Sequence, residues 1–316
     1  MDYILLIIGL ALLTFCADLL TRGCVGMAAR FRVPEFIIGL TVMAVGTSMP
    51  ELTVSMISAI KGSSSMAIGN VTGSNIFNTL VILGICAMVQ PVVISKENVR
   101  RDIPICIGVS LLLWIATADR LFGISDVDTI NRVEGIILFV LYIATIIYSI
   151  RSGKKDGSAQ PESDEPQMGW GKILGFIVIG LAGLIYGGNM CLESATAIAR
   201  AWGVSESIIA ITIVAAGTSL PELASSLSAI ISKKPSLALG NIIGSNVANI
   251  LLILGASASI KPLTMGTITQ LDLGMVVGSA VVLLLSALLM GKRRITRLEG
   301  ALFFLVYVAY VIILMK

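Results

Sequence analysis

Two glutamates, Glu51 and Glu222, stand 171 residues apart, each inside an apolar stretch and each in the same local sequence. Thr41–Ser55 reads TVMAVGTSMPELTVS and Thr212–Ser226 reads TIVAAGTSLPELASS. A carboxylate held within a membrane span costs at least about 2.5–3.5 kcal/mol on insertion scales, so it implies a partner that offsets it. A cation is the simplest such partner. In GTSMPE (Gly46–Glu51) and GTSLPE (Gly217–Glu222) the proline removes one helical hydrogen bond and displaces the carbonyl four residues earlier, that of Gly46 or Gly217. Thr47 and Glu51 are four apart and share a helical face, as do Thr218 and Glu222. Hydroxyl, freed carbonyl and carboxylate oxygens are the ligand set of a hard cation such as Ca²⁺ or Na⁺.

A second motif recurs at the same offset. Gly69–Asn78 reads GNVTGSNIFN and Gly240–Asn249 reads GNIIGSNVAN. Ser74 and Asn78 share a helical face, as do Ser245 and Asn249. Taken alone, these polar residues serve equally well as hydrogen-bonding glue between helices that glycine allows to approach closely. Their recurrence in register with the glutamates favours coordination.

The elements that must hold these residues are membrane helices. Hydrophobic residues make up 56% of the chain and charged residues 13%, against roughly 25% charged in soluble domains. Apolar stretches long enough to cross a bilayer recur near 3–21, 36–60, 67–89, 103–118, 133–150, 171–192, 207–231, 237–259, 272–290 and 298–315. The expected fold is an all-α polytopic membrane protein with ten transmembrane helices. Thr41–Gly84 aligns with Thr212–Gly255 without a gap, with 22 of 44 positions identical. Five spans separate the copies, so the second crosses in the opposite direction. The expected architecture is therefore two inverted five-helix repeats with a site near the membrane midplane. Residues 1–150 form the first repeat (motif region 36–89) and 170–316 the second (motif region 207–259). The polar, Gly/Ser/Pro-rich stretch 151–169 reads as a linker. Its acids lack the pattern of a loop Ca²⁺ site.

Basic residues set the orientation. The odd-numbered connections carry 16 Lys and Arg, and the even ones with the C-terminus carry 6. The linker is therefore expected in the cytoplasm, with both termini outside. The net charge of +3 reflects this bias and calls for no nucleic-acid partner. The start Met1-Asp2-Tyr3 lacks a basic n-region, so the first span is expected to be retained. The five cysteines read as small apolar filler. The absence of histidine excludes imidazole metal ligands and a Ser/His enzyme centre. Asp18, Glu193, Asp272 and Glu299 lie toward span ends and read as structural. Asp18 and Glu193, at comparable places on the first and sixth helices, are candidates for an access path.

With both glutamate motifs and both GSN motifs in register, the chain resembles the cation/Ca²⁺ exchanger superfamily, most closely the prokaryotic Na⁺/Ca²⁺ exchangers. The resemblance implies central Ca²⁺ coordination by Glu51 and Glu222, aided by main-chain oxygens of Thr47 and Thr218. It implies Na⁺ sites using Ala44, Ser48, Ser74, Ala215, Ser219 and Ser245 together with the two glutamates. Asn78 and Asn249 would complete the central ring. Relatives that need K⁺ carry an acid at the second of these positions, so asparagine here argues against K⁺ co-transport. The short linker leaves no room for the Ca²⁺-sensing domains of animal exchangers.

The implied function is secondary antiport of Na⁺ against Ca²⁺ across the cytoplasmic membrane by alternating access. Electrogenic Ca²⁺ export is the expected direction. The partners are the two transported ions and the lipid bilayer. No resident cofactor, protein partner or enzymatic activity is expected. Ca²⁺/H⁺ antiport and a passive cation channel are the alternatives.

Overall fold

Long apolar runs with few turn-forming residues favour helices throughout, and helices dominate the computed structural model. It describes residues 1–120, 123, 126–155, 168–203, 215–266, 268–289 and 293–314. Residues 156–167 of the expected linker and 207–214 of the seventh expected span lie outside the described residues. Seven described helices are long and apolar enough to cross a membrane: Asp2–Phe31, Ser64–Val89, Arg132–Gly153, Trp170–Ala201, Pro235–Ile260, Gln270–Leu288 and Arg297–Leu314. Glu35–Thr47 and Met49–Lys61, bent by 47° at their junction, make an eighth if taken as one broken span. The span expected at 103–118 is a 14-residue helix, Ile103–Ala116, preceded by a π-helical turn at Asn98–Asp102.

Several boundaries differ from the sequence expectation. The first helix continues to Phe31, where Arg32 adopts a left-handed conformation (φ 52°) and ends it. Trp170–Ala201 extends to 32 residues, well past the expected 192. The fifth helix runs on to Lys155, taking the first residues of the expected linker.

The described residues form two compact units. One comprises Met1–Pro50 and Ser149–Ile242, the other Glu51–Tyr148 and Ile243–Lys316. Each unit draws on both halves of the sequence, and two of the three boundaries, Pro50/Glu51 and Ile242/Ile243, fall inside the recurring motifs.

In the first unit, Asp2–Phe31 packs along Trp170–Ala201. Glycine makes the approach possible: a Cβ at Gly180 would lie 2.8 Å from the Leu20 nitrogen, and one at Gly187 would lie 3.2 Å from the Gly9 carbonyl. Small residues at such crossings let backbones touch, which is how membrane helices gain packing without a hydrophobic drive. Thr21 Oγ1 donates to Ser228 Oγ at 3.1 Å. Lys234 and the buried Glu35 form an ion pair at 2.8 Å.

The second unit shows exchange between sequence halves. Strand β1 (Val92–Val93) pairs antiparallel with β4 (Arg294–Ile295), and β2 (Thr129–Ile130) pairs with β3 (Leu263–Thr264). A Cβ at Gly84 would meet the Gly300 carbonyl at 2.8 Å, and one at Gly255 would meet the Gly135 carbonyl at 3.1 Å. Each contact joins a residue of one half to a residue of the other. Helix starts in this unit carry reciprocal caps. Thr269 N and Oγ1 donate to Asp272 at 2.7 and 2.8 Å, and Thr296 N and Oγ1 donate to Glu299 at 2.8 and 2.7 Å. Asn131 with Glu134, and Ser95 with Asn98, do the same for the first half. Asp272 also accepts from Tyr310 Oη at 2.6 Å. Asp272 and Glu299 are thus buried caps, the structural role their positions suggested.

The helices that carry the GSN motifs lie deepest. In the 18-residue apolar stretch of each helix, 83% of the residues of Ser64–Val89 and 94% of those of Pro235–Ile260 are buried, against 22% for Arg132–Gly153 and for Arg297–Leu314. Exposed Ile136, Ile137 and Val140, with Leu302, Leu305 and Val306, give those outer helices the apolar surface that lipid requires.

Candidate cation site

Each glutamate motif breaks its helix at the same place. Ser48 (φ −82°, ψ 10°) ends the segment Ala44–Thr47, and Ser219 (φ −88°, ψ 8°) precedes Leu220–Ile231. Both serines occupy the sparsely populated bridge between the helical and extended regions. A proline is the second residue of the helix that restarts, where its missing N–H costs nothing. Glu51 and Glu222 are therefore each the third residue of a new helix. The positive end of the helix dipole favours a carboxylate there. Both side chains are 1% exposed.

In the first unit, Ser48 Oγ donates to Glu222 Oε1 at 2.8 Å, so the break of one motif copy meets the carboxylate of the other. Ser225 Oγ donates to the Glu222 carbonyl at 3.1 Å. Asn241 Nδ2 donates to Ser225 Oγ and Ser226 Oγ at 3.0 and 2.9 Å. Thr47 Oγ1 lies 3.4 Å from both the Ala44 carbonyl and Asn241 Oδ1. The Ala44 carbonyl also accepts from Ser48 N at 3.0 Å. Thr218 and Ser219 are buried at the second break, and Ala215 opens the short helical segment Ala215–Gly217 before it.

Glu51 belongs to the second unit. Asn70 Nδ2 donates to the Glu51 carbonyl at 3.3 Å and to Ser55 Oγ at 3.0 Å. The pairs Asn70–Ser55 and Asn241–Ser226 are the same bond at an offset of 171 residues. In each copy the first asparagine of the GN motif braces the helix that bears the glutamate.

The second unit also gathers four asparagines from the two GSN motifs. Asn78 Nδ2 donates to Asn246 Oδ1 at 3.2 Å, and Asn249 Nδ2 donates to Asn75 Oδ1 at 3.0 Å. These two bonds are again equivalent under the 171-residue offset. Asn75 Nδ2 donates to the Asn246 carbonyl at 3.3 Å, and Asn246 Nδ2 donates to Thr79 Oγ1 at 2.8 Å. Asn78 and Asn249 each open a π-helical turn, Asn78–Ile82 and Asn249–Leu254. Such turns concentrate at functional sites. The oxygens Asn78 Oδ1, Asn249 Oδ1 and Ser245 Oγ are buried and make no hydrogen bond among the described residues. Ser74 is buried on the same motif.

The spacing arguments singled out Thr47, Glu51, Ser74, Asn78, Thr218, Glu222, Ser245 and Asn249, and the resemblance added Ser48. They missed Asn70, Asn241, Ser55, Ser226, Asn75 and Asn246, which position the others. The signal was available, since all six are identical between the aligned copies. Among the described residues no three acidic or thiol groups cluster as a metal site. The arrangement is one of hydroxyl, amide and carboxylate oxygens, which suits a hard, exchangeable cation rather than a tightly held transition metal.

Comparison with known proteins agrees with this chemistry. The family model described as "Sodium/calcium exchanger protein" matches residues 1–151 and 172–316. The chain is 35% identical over 319 residues to CaxA of Alkalimonas amylolytica, covering 97% of this chain and 96% of that protein. It is 29% identical over 344 residues to the sodium/calcium exchanger MaX1 of Methanosarcina acetivorans, covering 99% and 98%. The solved sodium-calcium exchanger NCX_Mj superposes with a TM-score of 0.82 at 29% identity, covering 98% of this chain and 97% of that one. Motif, helix break and whole-chain likeness converge, and the chain belongs to the sodium/calcium exchanger family of membrane antiporters.

Proposed function

We propose that this chain exchanges Na⁺ for Ca²⁺ across the cytoplasmic membrane by alternating access. Glu51 and Glu222 are its central Ca²⁺ ligands, with main-chain oxygens of Thr47 and Thr218, and Asn78 and Asn249 complete the ring. The Na⁺ sites use Ala44, Ser48, Ser74, Ala215, Ser219, Ser245 and both glutamates. The observation that carries this reading is the orientation of the buried amides. Asn78 and Asn249 have their nitrogens engaged, while their oxygens, with Ser245 Oγ, make no hydrogen bond among the described residues. Helix glue would engage both ends of each amide. A buried acceptor left unsatisfied costs about 1–3 kcal/mol, which a dehydrated cation offsets.

Charge accounts for exchange. Two carboxylates balance one Ca²⁺ or two Na⁺, and the ions compete for the same oxygens. Additional Na⁺ at neutral oxygens makes each cycle carry net charge, worth about 2.3 kcal/mol per elementary charge per 100 mV. An inside-negative membrane then drives Na⁺ entry and Ca²⁺ export. Ca²⁺ and Na⁺ are cargo rather than resident cofactors. The architecture proposed is ten spans in two inverted repeats, with both termini outside and the central linker cytoplasmic. The repeated helix breaks, caps and asparagine bonds support it.

Ca²⁺ flux in proteoliposomes under separate Na⁺, H⁺ and K⁺ gradients tests the proposal. A Na⁺ gradient alone should drive saturable Ca²⁺ uptake. Uptake driven only by H⁺ would establish Ca²⁺/H⁺ antiport instead, and flux that does not saturate would establish a channel.

A further inference from the structure

We propose that Asn75 is a positioning residue that aims the side-chain oxygen of Asn249 at the transported cation. The proposal rests on the reading of Asn249 as an ion ligand and adds what holds it in the binding orientation.

An asparagine amide has one accepting end and one donating end. Only the accepting end helps a cation, so a ligand asparagine must be prevented from turning over. Asn75 Nδ2 faces the main-chain carbonyl of Asn246 at 3.3 Å. A carbonyl can only accept, so this contact selects which end of the Asn75 amide lies there. Its other end, Oδ1, is then left to accept, and it does so from Asn249 Nδ2 at 3.0 Å. The Asn249 nitrogen is thereby held against Asn75 and its oxygen is turned away. That oxygen is buried and makes no hydrogen bond among the described residues. If Asn249 turned over, two oxygens would confront each other and two N–H groups would face the cation. The direction is passed from a backbone carbonyl, through Asn75, to Asn249.

The equivalent arm lacks this one-way constraint. Asn78 Nδ2 donates to Asn246 Oδ1 at 3.2 Å, but Asn246 Nδ2 rests on the Thr79 hydroxyl at 2.8 Å. A hydroxyl donates as readily as it accepts, so it does not by itself select the orientation of Asn246. In the second copy Ile250 occupies the place of Thr79, which leaves the backbone carbonyl as the partner of Asn75.

The test is a double-mutant cycle read as the Ca²⁺ KM of Na⁺-driven uptake in proteoliposomes. Asn75→Leu removes the acceptor and frees Asn249 to turn. The expected result is a KM raised about tenfold or more with the maximal rate retained, the range of a strong pairwise coupling. Asn249→Asp has oxygen at both ends, so turning over no longer matters. In that background an oxygen already confronts Asn75 Oδ1 in either orientation, so Asn75→Leu should leave KM within about twofold or lower it, and should not raise it. An equal rise in both backgrounds would overturn the proposal and leave Asn75 a packing residue. Should Asn75→Leu fail to yield a monodisperse protein, Asn75→Ala takes its place in the same cycle. Asn249→Leu separates the two claims. A parent-like KM in that variant removes Asn249 from the ion site and the proposal with it, whereas a raised KM with an additive cycle sinks only the role of Asn75.

Discussion

The hydroxyl of Ser48 donates to Glu222 Oε1 over 2.8 Å, linking the helix break of one motif copy to the carboxylate of the other. The two residues are 174 positions apart. Ser48 lies at the last residue before a new helix and Glu222 in the first turn of another. The bond therefore couples two broken helices at the points where each is weakest. Removing the hydroxyl should loosen the carboxylate and delete an oxygen from the proposed Na⁺ site. Ser48→Ala is expected to raise the Na⁺ half-saturation of exchange about fivefold or more, since a hydrogen bond to a charged group contributes about 1.5–3 kcal/mol. Na⁺ titration of Ca²⁺ uptake checks this, and an unchanged half-saturation would place Ser48 outside the site.

Glu51→Gln and Glu222→Gln should each abolish Ca²⁺ transport while the protein stays folded. The amide keeps the shape and loses the charge that balances Ca²⁺. Flux in proteoliposomes, with size-exclusion profiles as the folding control, decides the matter. Near-normal flux in either variant would refute the two-glutamate site.

The Lys234–Glu35 ion pair is expected to matter for stability. Its side chains are 15% and 5% exposed. Breaking a buried pair by removing one partner costs about 3–5 kcal/mol, because the remaining charge stays buried. Glu35→Gln should lower the melting temperature in detergent markedly. Adding Lys234→Met should recover most of the loss. A single variant that melts with the parent would show that the pair is solvated in solution.

Glycine substitutions should separate packing from propensity. A Cβ at Gly84 would lie 2.8 Å from the Gly300 carbonyl, whereas one at Gly73 would meet nothing within 4 Å. Gly84→Val is expected to destabilise by about 1–3 kcal/mol or more. Gly73→Ala should be neutral, or stabilising by up to about 1 kcal/mol through helix propensity. Thermal melts of both variants check the contrast, and equal losses would contradict the packing described at Gly84.

Orientation can be read by labelling. In a background lacking the five buried cysteines, Ser63→Cys should react with an impermeant thiol reagent from outside and Ser158→Cys should not. The warrant is the excess of basic residues in the odd-numbered connections. The opposite pattern would invert the topology.

Much of the local structure around the candidate site was legible in the sequence. The apolar lengths pointed to the seven helices long enough to cross a membrane among the described residues, and the GTSxPE repeat pointed to the helix breaks at Ser48 and Ser219. Those features depend on residues adjacent in one helix: a proline disrupts its own turn, and residues four apart share a face wherever the helix goes. The ends of the long helices were less legible. Asp2–Phe31 and Trp170–Ala201 run past their expected ends where each still has the other to pack on: a Cβ at Gly23 would lie 2.8 Å from Ile177, and Trp202 Nε1 donates to Tyr3 Oη at 3.1 Å, support that is invisible in either segment alone. The direction of the amides was not legible at all. The GSN motifs pointed to Asn78 and Asn249 as polar groups within a span, yet an asparagine presents an oxygen or an N–H according to its neighbour. For Asn249 that neighbour is Asn75, 174 positions away, and for Asn75 it is the Asn246 carbonyl. Helix packing brings these groups together, and so decides which atoms of a polar motif remain available to an ion.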